Sequence, residues 1–307
     1  MIRSMQSAIA GLKAHQTKMD VVGNNIANVN TWGFKSKSAN FADAMYQNFL
    51  TGTGGNATAG NLGGVNTSQI GYGSNLNSII ANTTTGTQSY TGRPGDCMIN
   101  GPAYFIVGSF AQEVDPAGFD ASGLSLSRVG IFGVDNNGYL VDDKGNYVYG
   151  YITGTGDGNG NITVDTNAPL RPINIRVGIA DNPAGGQDQN LTFSSMTIAT
   201  DGTVSIVDED SVPHIIGKIA VATVENPAGL EQNGGFLYAI GDNAGEITVG
   251  GTTAATGDII SNYLEMSNVD LATEMSNMIT TQRGYQANTK MITVSDEMLE
   301  TLVNMKR

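Results

Sequence analysis

The two ends of the chain constrain its fold more than anything between them. Met1, Met5, Ala8, Leu12, His15, Met19, Val22, Ile26 and Val29 follow one another at alternating steps of four and three. That spacing places them on one face of an α-helix as a heptad stripe. The stripe fades into Asn24, Asn25, Asn28 and Asn30 and reaches Gly33, residue types that favour turns over helix interiors, so the first helix is expected to stop near Gly33. The far end repeats the pattern at Leu271, Met275, Met278, Gln282, Tyr285, Thr289, Ile292, Asp296, Leu299 and Val303. Three polar residues interrupt it, while Val294, Met298, Leu302 and Met305 supply a second apolar face. Such a helix wants neighbours on more than one side. The two stripes could pair once, within one chain, as an antiparallel helix hairpin. The surplus face on the second helix argues instead for polymerisation.

Between the helices the periodicity changes to two and turn dipeptides punctuate it. From Ile198 to Ile206 apolar and polar residues alternate around Asp201-Gly202, which should close a two-residue hairpin. Asn137-Gly138 should do the same between Phe132 and Leu140, and Asp143-Lys144-Gly145-Asn146 and Asn233-Gly234-Gly235 mark further reversals. With 41 glycines and only 14% charged residues, the middle reads as short antiparallel strands with frequent turns. Thr51 to Thr87, rich in Gly, Asn, Thr and Ser, reads as a connector with little core. The expected fold is mixed, an antiparallel all-β centre flanked by N- and C-terminal α-helices. Its expected parts are an N-terminal axial helix and asparagine-rich corner (1–45), an extended connector (46–90), a β-rich central domain (91–257) with a small loop-rich insertion at about 152–195, and a C-terminal axial helix (258–307).

Charge excludes several functions. The net charge of −13 opposes both phosphate neutralisation and adsorption to anionic lipid, so neither nucleic acid nor a membrane surface is an expected partner. It is also uneven. Residues 1–45 carry five basic and two acidic groups and residues 264–307 four and six, leaving the middle strongly acidic and the terminal helices weakly complementary. No apolar block with a small-residue cleavage site opens the chain, and no apolar run approaches ~18 residues, so neither a general secretory signal nor a membrane span is expected. Cys97 is the only cysteine, which excludes an internal disulfide, and it reads as a buried free thiol.

The remaining motifs do not support chemistry. Asp157-Gly158-Asn159-Gly160-Asn161 imitates the start of a calcium loop, but Ile162 and Ala168 stand where its glycine and bidentate glutamate belong, so it reads as a turn. The glycines near Gly54 and Gly156 lack a phosphate-binding spacing and read as loop. His15 on the stripe and His214 beside Pro213 have no nucleophile or carboxylate signature around them. No catalytic residue, metal, cofactor or small-molecule substrate is expected.

Longer motifs carry a resemblance. Met1-Ile2-Arg3-Ser4-Met5, Gly11 to Asp20, and Gly23-Asn24-Asn25-Ile26-Ala27-Asn28-Val29-Asn30-Thr31-Trp32-Gly33-Phe34-Lys35 closely resemble the N-terminal signature of the flagellar rod and hook proteins. Leu264-Glu265-Met266-Ser267-Asn268-Val269-Asp270-Leu271 and Gln282-Arg283-Gly284-Tyr285-Gln286-Ala287-Asn288 look like that family's C-terminal signature. Gly92 to Asp96 with Asn100 to Val107, Leu126-Ser127-Arg128, Asp135 to Leu140, and Glu225 to Leu230 are similar to its central β segments.

The resemblance implies a self-assembling tubular subunit, exported unfolded by the flagellar type III apparatus and located in the hook and basal body, extracellular after export. Its terminal helices would pack as coiled coil in the polymer. The assembly residues it implies are Met5, Leu12, Met19, Val22, Ile26, Val29, Leu271, Met275, Met278, Tyr285, Ile292, Leu299 and Leu302, with a corner at Asn24, Asn25, Asn28, Asn30, Gly33 and Phe34 joining the inner helix to the outer layers. The implied partners are further copies of the chain, the neighbouring axial proteins (distal rod, hook cap and hook–filament junction) and the export apparatus. Within the family the hook subunit, a torque-transmitting tube, is the expected role, and a distal-rod subunit the alternative. A surface adhesin would need a cleavable signal or an acid pair, and the sequence shows neither.

Overall fold

The computed structural model describes residues 2–52, 54, 64–115, 123–156, 162–166, 168–179, 187–189, 195–208, 213–252 and 256–305. They are β-rich, with antiparallel sheets and a long α-helix toward each end. The chain divides into two compact units. A helical unit comprises Met1–Val29, Ser36–Asn82 and Val269–Arg307, and a β unit comprises Asn30–Lys35 and Thr83–Asn268.

In the helical unit, α1 (Ile2–Ala27) packs on α2 (Leu271–Asn304) and on two strands, β1 (Lys37–Asp43) and β4 (Ser74–Ala81), which pair antiparallel with each other. Two further strands, β2 (Tyr46–Leu50) and β3 (Ser68–Gly71), form a second antiparallel pair. α1 stops at Ala27, earlier than the expected Gly33, because the asparagines close it. The Asn28 amide reaches the Asn24 and Asn25 carbonyls, and the Asn28 side chain donates to the Asn24 carbonyl at 2.9 Å. α2 begins only at Leu271, where the Asp270 carboxylate accepts from the Ala272 amide (3.1 Å) and the Thr273 hydroxyl (2.6 Å). The stretch before it, expected as helix from 258, holds strands at Asp258–Ser261 and Tyr263–Glu265. The stretch 46–90, expected as an extended connector, contains β2, β3, β4 and β5 (Gln88–Tyr90).

In the β unit, β6 (Asp96–Asn100), β7 (Tyr104–Gly108), β8 (Ser125–Ser127), β9 (Gly130–Val134), β10 (Leu140–Asp142) and β11 (Tyr147–Tyr151) lie in the spatial order β8-β7-β11-β10-β9-β6. Every residue of β7 is buried. Phe105 and Val107 join one apolar cluster, with Cys97, Phe132 and Ile206, while Tyr104 and Ile106 join another, with Leu126 and Tyr149. A strand covered on both faces reads as a continuous apolar run rather than an alternation, as Tyr104 to Val107 does. Cys97 is fully buried, and burial, with the Asp96 charge, pushes its thiol pKa up. The segment expected as a loop-rich insertion contributes Leu170, Ile173 and Ile175 to these cores. The calcium-loop look-alike at 157–161 lies outside the described residues.

The hairpin turns differ from expectation in one consistent way. After Ala199 and Asp135 the loop has three residues, not the expected two, and the reversal after Asp142 has three as well. In each, the first residue's carbonyl accepts from a glycine three positions on (Gly202, Gly138, Gly145) and its amide donates to the carbonyl of the residue after that glycine. The glycines have φ of 81°, 86° and 82°. This is a type I turn closed by a left-handed glycine at a bulge, which Asp-Gly and Asn-Gly serve as readily as the tighter turn.

Candidate assembly surface and the buried ion cluster

In the helical unit α1 and α2 run antiparallel. The Asn288 side chain sits over Gly11 and the His15 ring over Gly284, so close that a methyl group on either glycine would fall 2.7 Å from its neighbour. Glycine inside a helix costs about 1 kcal/mol relative to alanine. Here the missing side chain is what lets each partner seat. His15 also lies edge-on to Phe41, ring centroids 6.2 Å apart, with its Nδ1 buried and without a hydrogen-bond partner among the described residues. The face that α2 turns inward is small and polar. Thr281 and Ser295 are its buried residues, and their hydroxyls bond back to the Asn277 (2.6 Å) and Met291 (2.8 Å) carbonyls of the same helix.

This contact divides the stripe that periodicity picked out. On α1, Val22 is buried and Met5, Leu12, Met19 and Ile26 are half-buried, as is Val29 in the turn after it; on α2, Met278, Ile292 and Leu299 are half-buried. Leu271, Met275, Tyr285 and Leu302 are exposed, as are Ile279, Met291, Val294 and Met298. Met291, Val294, Met298, Leu302 and Met305 advance in steps of three and four, an unbroken apolar line facing water.

The corner residues separate into different roles. The Asn25 side chain, buried, pairs with both backbone groups of Lys37, donating to its carbonyl at 2.8 Å and accepting from its amide at 3.0 Å. Asn24 and Asn30 are exposed, and Asn28 caps α1. Gly33 has φ of 63° and its Cα faces Val129 so closely that a Cβ would stand 2.6 Å from the valine methyl. Phe34 is half-buried, and its carbonyl accepts from the Asn268 amide. Nothing in the structure explains the choice of Trp32.

The β unit holds a feature that periodicity does not register. Glu265 lies between Lys35 and Arg128, with Lys35 Nζ 2.6 Å from its Oε1 and Arg128 Nε 2.6 Å from its Oε2. The three side chains are 1%, 6% and 3% exposed respectively. Each charge is also bonded to backbone. Lys35 Nζ donates to the Thr84 carbonyl (2.8 Å), the Gly86 amide donates to Glu265 Oε1 (2.7 Å), and the Arg128 guanidinium donates to the carbonyls of Ala103 and Gly101. The Arg128 guanidinium lies 5.6 Å from the centre of the Tyr104 ring. Burial by itself would raise the Glu265 pKa. The charges of Arg128 and Lys35 and the hydrogen bonds from Lys35 and Gly86 outweigh it and hold the carboxyl below its ordinary range. Burial pulls the Lys35 pKa down, against the opposing pull of Glu265. The partners are 230 and 137 residues apart along the chain. The available signal was that three of few charged residues stand inside the family-like motifs ending at Lys35 and Arg128 and beginning at Leu264.

Among the described residues no three His, Cys, Asp or Glu side chains gather as a metal would require. The family described as "Flagella basal body rod protein" matches residues 5–35, and "Flagellar basal body rod FlgEFG protein C-terminal" matches residues 260–305. The basal-body rod protein FlgG of Bacillus subtilis (strain 168) is 39% identical over 310 positions spanning the whole of both chains. FlgG of Caulobacter vibrioides is 29% identical over 311 positions, covering 99% of this chain and all of that one. The hook protein FlgE of Borreliella burgdorferi is 27% identical over 455 positions spanning both chains. The chain belongs to the flagellar basal-body rod and hook protein family, whose members are structural parts of the flagellum.

Proposed function

We propose that this chain is a distal-rod subunit of the flagellar basal body, polymerising into the shaft that carries torque outward from the motor. The observation that carries this reading is the end-to-end match with a rod protein at 39% identity over 310 positions, almost the length of this 307-residue chain. An alignment of 455 positions cannot be filled by 307 residues, so the hook relative carries long stretches with no counterpart here. The hook role suggested by the motifs alone therefore gives way to the rod.

Assembly follows from the helical unit. The inward face of α2 is occupied by α1, and the apolar line from Met291 to Met305 remains for a neighbouring copy to cover, as coiled coil. Met5, Leu12, Met19, Val22, Ile26 and Val29 hold the intrachain side, while Leu271, Met275, Tyr285 and Leu302 face the neighbour. Export through the flagellar type III apparatus, and contacts with adjoining axial proteins at either end of the tube, belong to the same reading. Immunogold electron microscopy of isolated hook–basal bodies, with antibody against the β unit, tests it. Label on the straight shaft is expected; label on the curved hook would return the chain to the hook role, and an unlabelled organelle would end both.

A further inference from the structure

The backbone passes between the two units four times, at 29/30, 35/36, 82/83 and 268/269. On the β side these passages belong to three short segments: the corner 30–35, the stretch that starts at Thr83, and the stretch that ends at Asn268. The ion cluster joins all three, wholly inside the β unit. Lys35 closes the corner. Its ammonium bonds Glu265 in the third segment and the Thr84 carbonyl in the second. Glu265 accepts the Gly86 amide, and its own carbonyl accepts the Gly33 amide at 2.8 Å. The Met266 amide bonds the Thr87 carbonyl at 2.8 Å, and the Asn268 side chain reaches the Thr84 carbonyl at 3.2 Å. Arg128 then fastens Glu265 to the loop at Gly101 and Ala103 and to the core strands behind it.

We propose that Lys35, Glu265 and Arg128 form a force anchor, the node at which every covalent connection leaving the β unit is tied to the body of that unit. The proposal rests on the rod reading, because only a torque-bearing subunit has force to pass along these connections. The charge count supports it. One carboxylate faces two buried cations, so the cluster is over-supplied with positive charge, and a buried ion pair is a poor source of net stability. An apolar residue at position 35 would leave Glu265 and Arg128 matched one to one. What it would lose is a donor that reaches the second and third segments together. Lys35 is therefore a positioning residue for load transfer, and its removal should uncouple the segments without unfolding the unit.

The experiment compares full-length wild type, Lys35→Met and a core variant, Ile206→Val, chosen as a control of similar thermal stability. Amide hydrogen exchange of the monomer is read at Gly33, Gly86 and Met266 and, for reference, along β7. In Lys35→Met the three segment amides should exchange about tenfold or more faster together, while β7 and the melting temperature stay with the control. Cells carrying each variant are then swum in media of rising viscosity, and detached flagella are counted. Lys35→Met should shed several-fold more than Ile206→Val under load and equally at low viscosity. Unchanged exchange, exchange raised in one segment only, a uniform loss of protection across the β unit, or shedding equal to the control each overturns the anchor. The exchange result does not depend on where the chain sits in the flagellum, so an anchor that fails is distinguishable from a rod assignment that fails by immunogold label.

Discussion

The two units use apolar and polar groups in opposite ways. In the β unit β7 is covered on both faces, and even three charged side chains are enclosed with partners for each. In the helical unit α2 turns threonine, glycine, asparagine and serine toward α1 and leaves Met291, Met298 and Leu302 about half exposed. A unit that buries its charges and a unit that displays its methionines teach the same lesson from two sides. The first encloses its groups within one chain, and the second leaves apolar side chains in water, where a neighbouring copy is proposed to cover them.

The largest effect should come from breaking the closed unit at Glu265, the carboxylate between its two buried cations. Glu265→Gln leaves two cations enclosed without an anion, and removing one partner of a buried ionic group typically costs about 3–5 kcal/mol. The loss should appear in urea unfolding followed by the fluorescence of Trp32, the single tryptophan, which lies in the corner beside the cluster. Lys35→Met should cost far less, because it leaves a matched pair. If the two variants were equally destabilised, the charge imbalance assigned to the cluster would be wrong.

Acid should reproduce part of that loss. The Glu265 carboxyl is held below its ordinary value of 4.5, so its ionised form stabilises the fold fully above that value and the contribution disappears as pH falls through the lower, folded-state value. Lys35 acts in the alkaline range with the same slope. Its folded value lies below 10.5, so between the two values the unfolded chain binds more protons and stability rises with pH. Unfolding free energy measured from neutral pH to pH 3 should fall for the wild type and be flatter for Glu265→Gln. Parallel curves would mean that other carboxylates dominate.

A smaller effect, confined to the helical unit, should follow from filling the seat of His15. Gly284→Leu forces the imidazole out of its place against α2, and overpacking a fitted contact costs about 1–3 kcal/mol. Helical circular dichroism during thermal unfolding should show the loss, while the Trp32 signal from the β unit keeps its wild-type midpoint. A shift in both signals would show the two units to be one cooperative body.

How much of this was legible follows the same division. The heptad steps of both ends were plain in the sequence because one helix face repeats locally, and the turn glycines at 138, 145 and 202 marked reversals that do occur. The loop length was misjudged because Asp-Gly serves two turn types. Which face of α2 meets α1 could not be read, since Thr281, Gly284 and Ser295 look like interruptions of a stripe when only hydrophobicity is counted. They are inward because the helices approach too closely for larger side chains. The ion cluster was out of reach for a different reason. Lys35, Arg128 and Glu265 belong to segments joined only by the folded topology, and no local period relates positions 230 residues apart.

The smallest effect on the single chain should come from the surface with the most consequence for assembly. Leu302 and Met298 are exposed on the apolar line of α2. Both side chains are about half exposed, and exposed substitutions away from special features usually stay within about 0.5 kcal/mol. Unfolding of Met298→Glu/Leu302→Glu should therefore match the wild type by circular dichroism and by Trp32 fluorescence. In a tube the same line would lie between copies, where a desolvated carboxylate without a cation is excluded. Sedimentation of purified chain under polymerising conditions, together with counts of completed rods in cells, should show assembly abolished in a chain whose fold is untouched. Polymers of normal length from this variant would mean that another surface carries the contact, with the exposed pair β2 and β3, bearing Tyr46, Phe49 and Leu50, next in line.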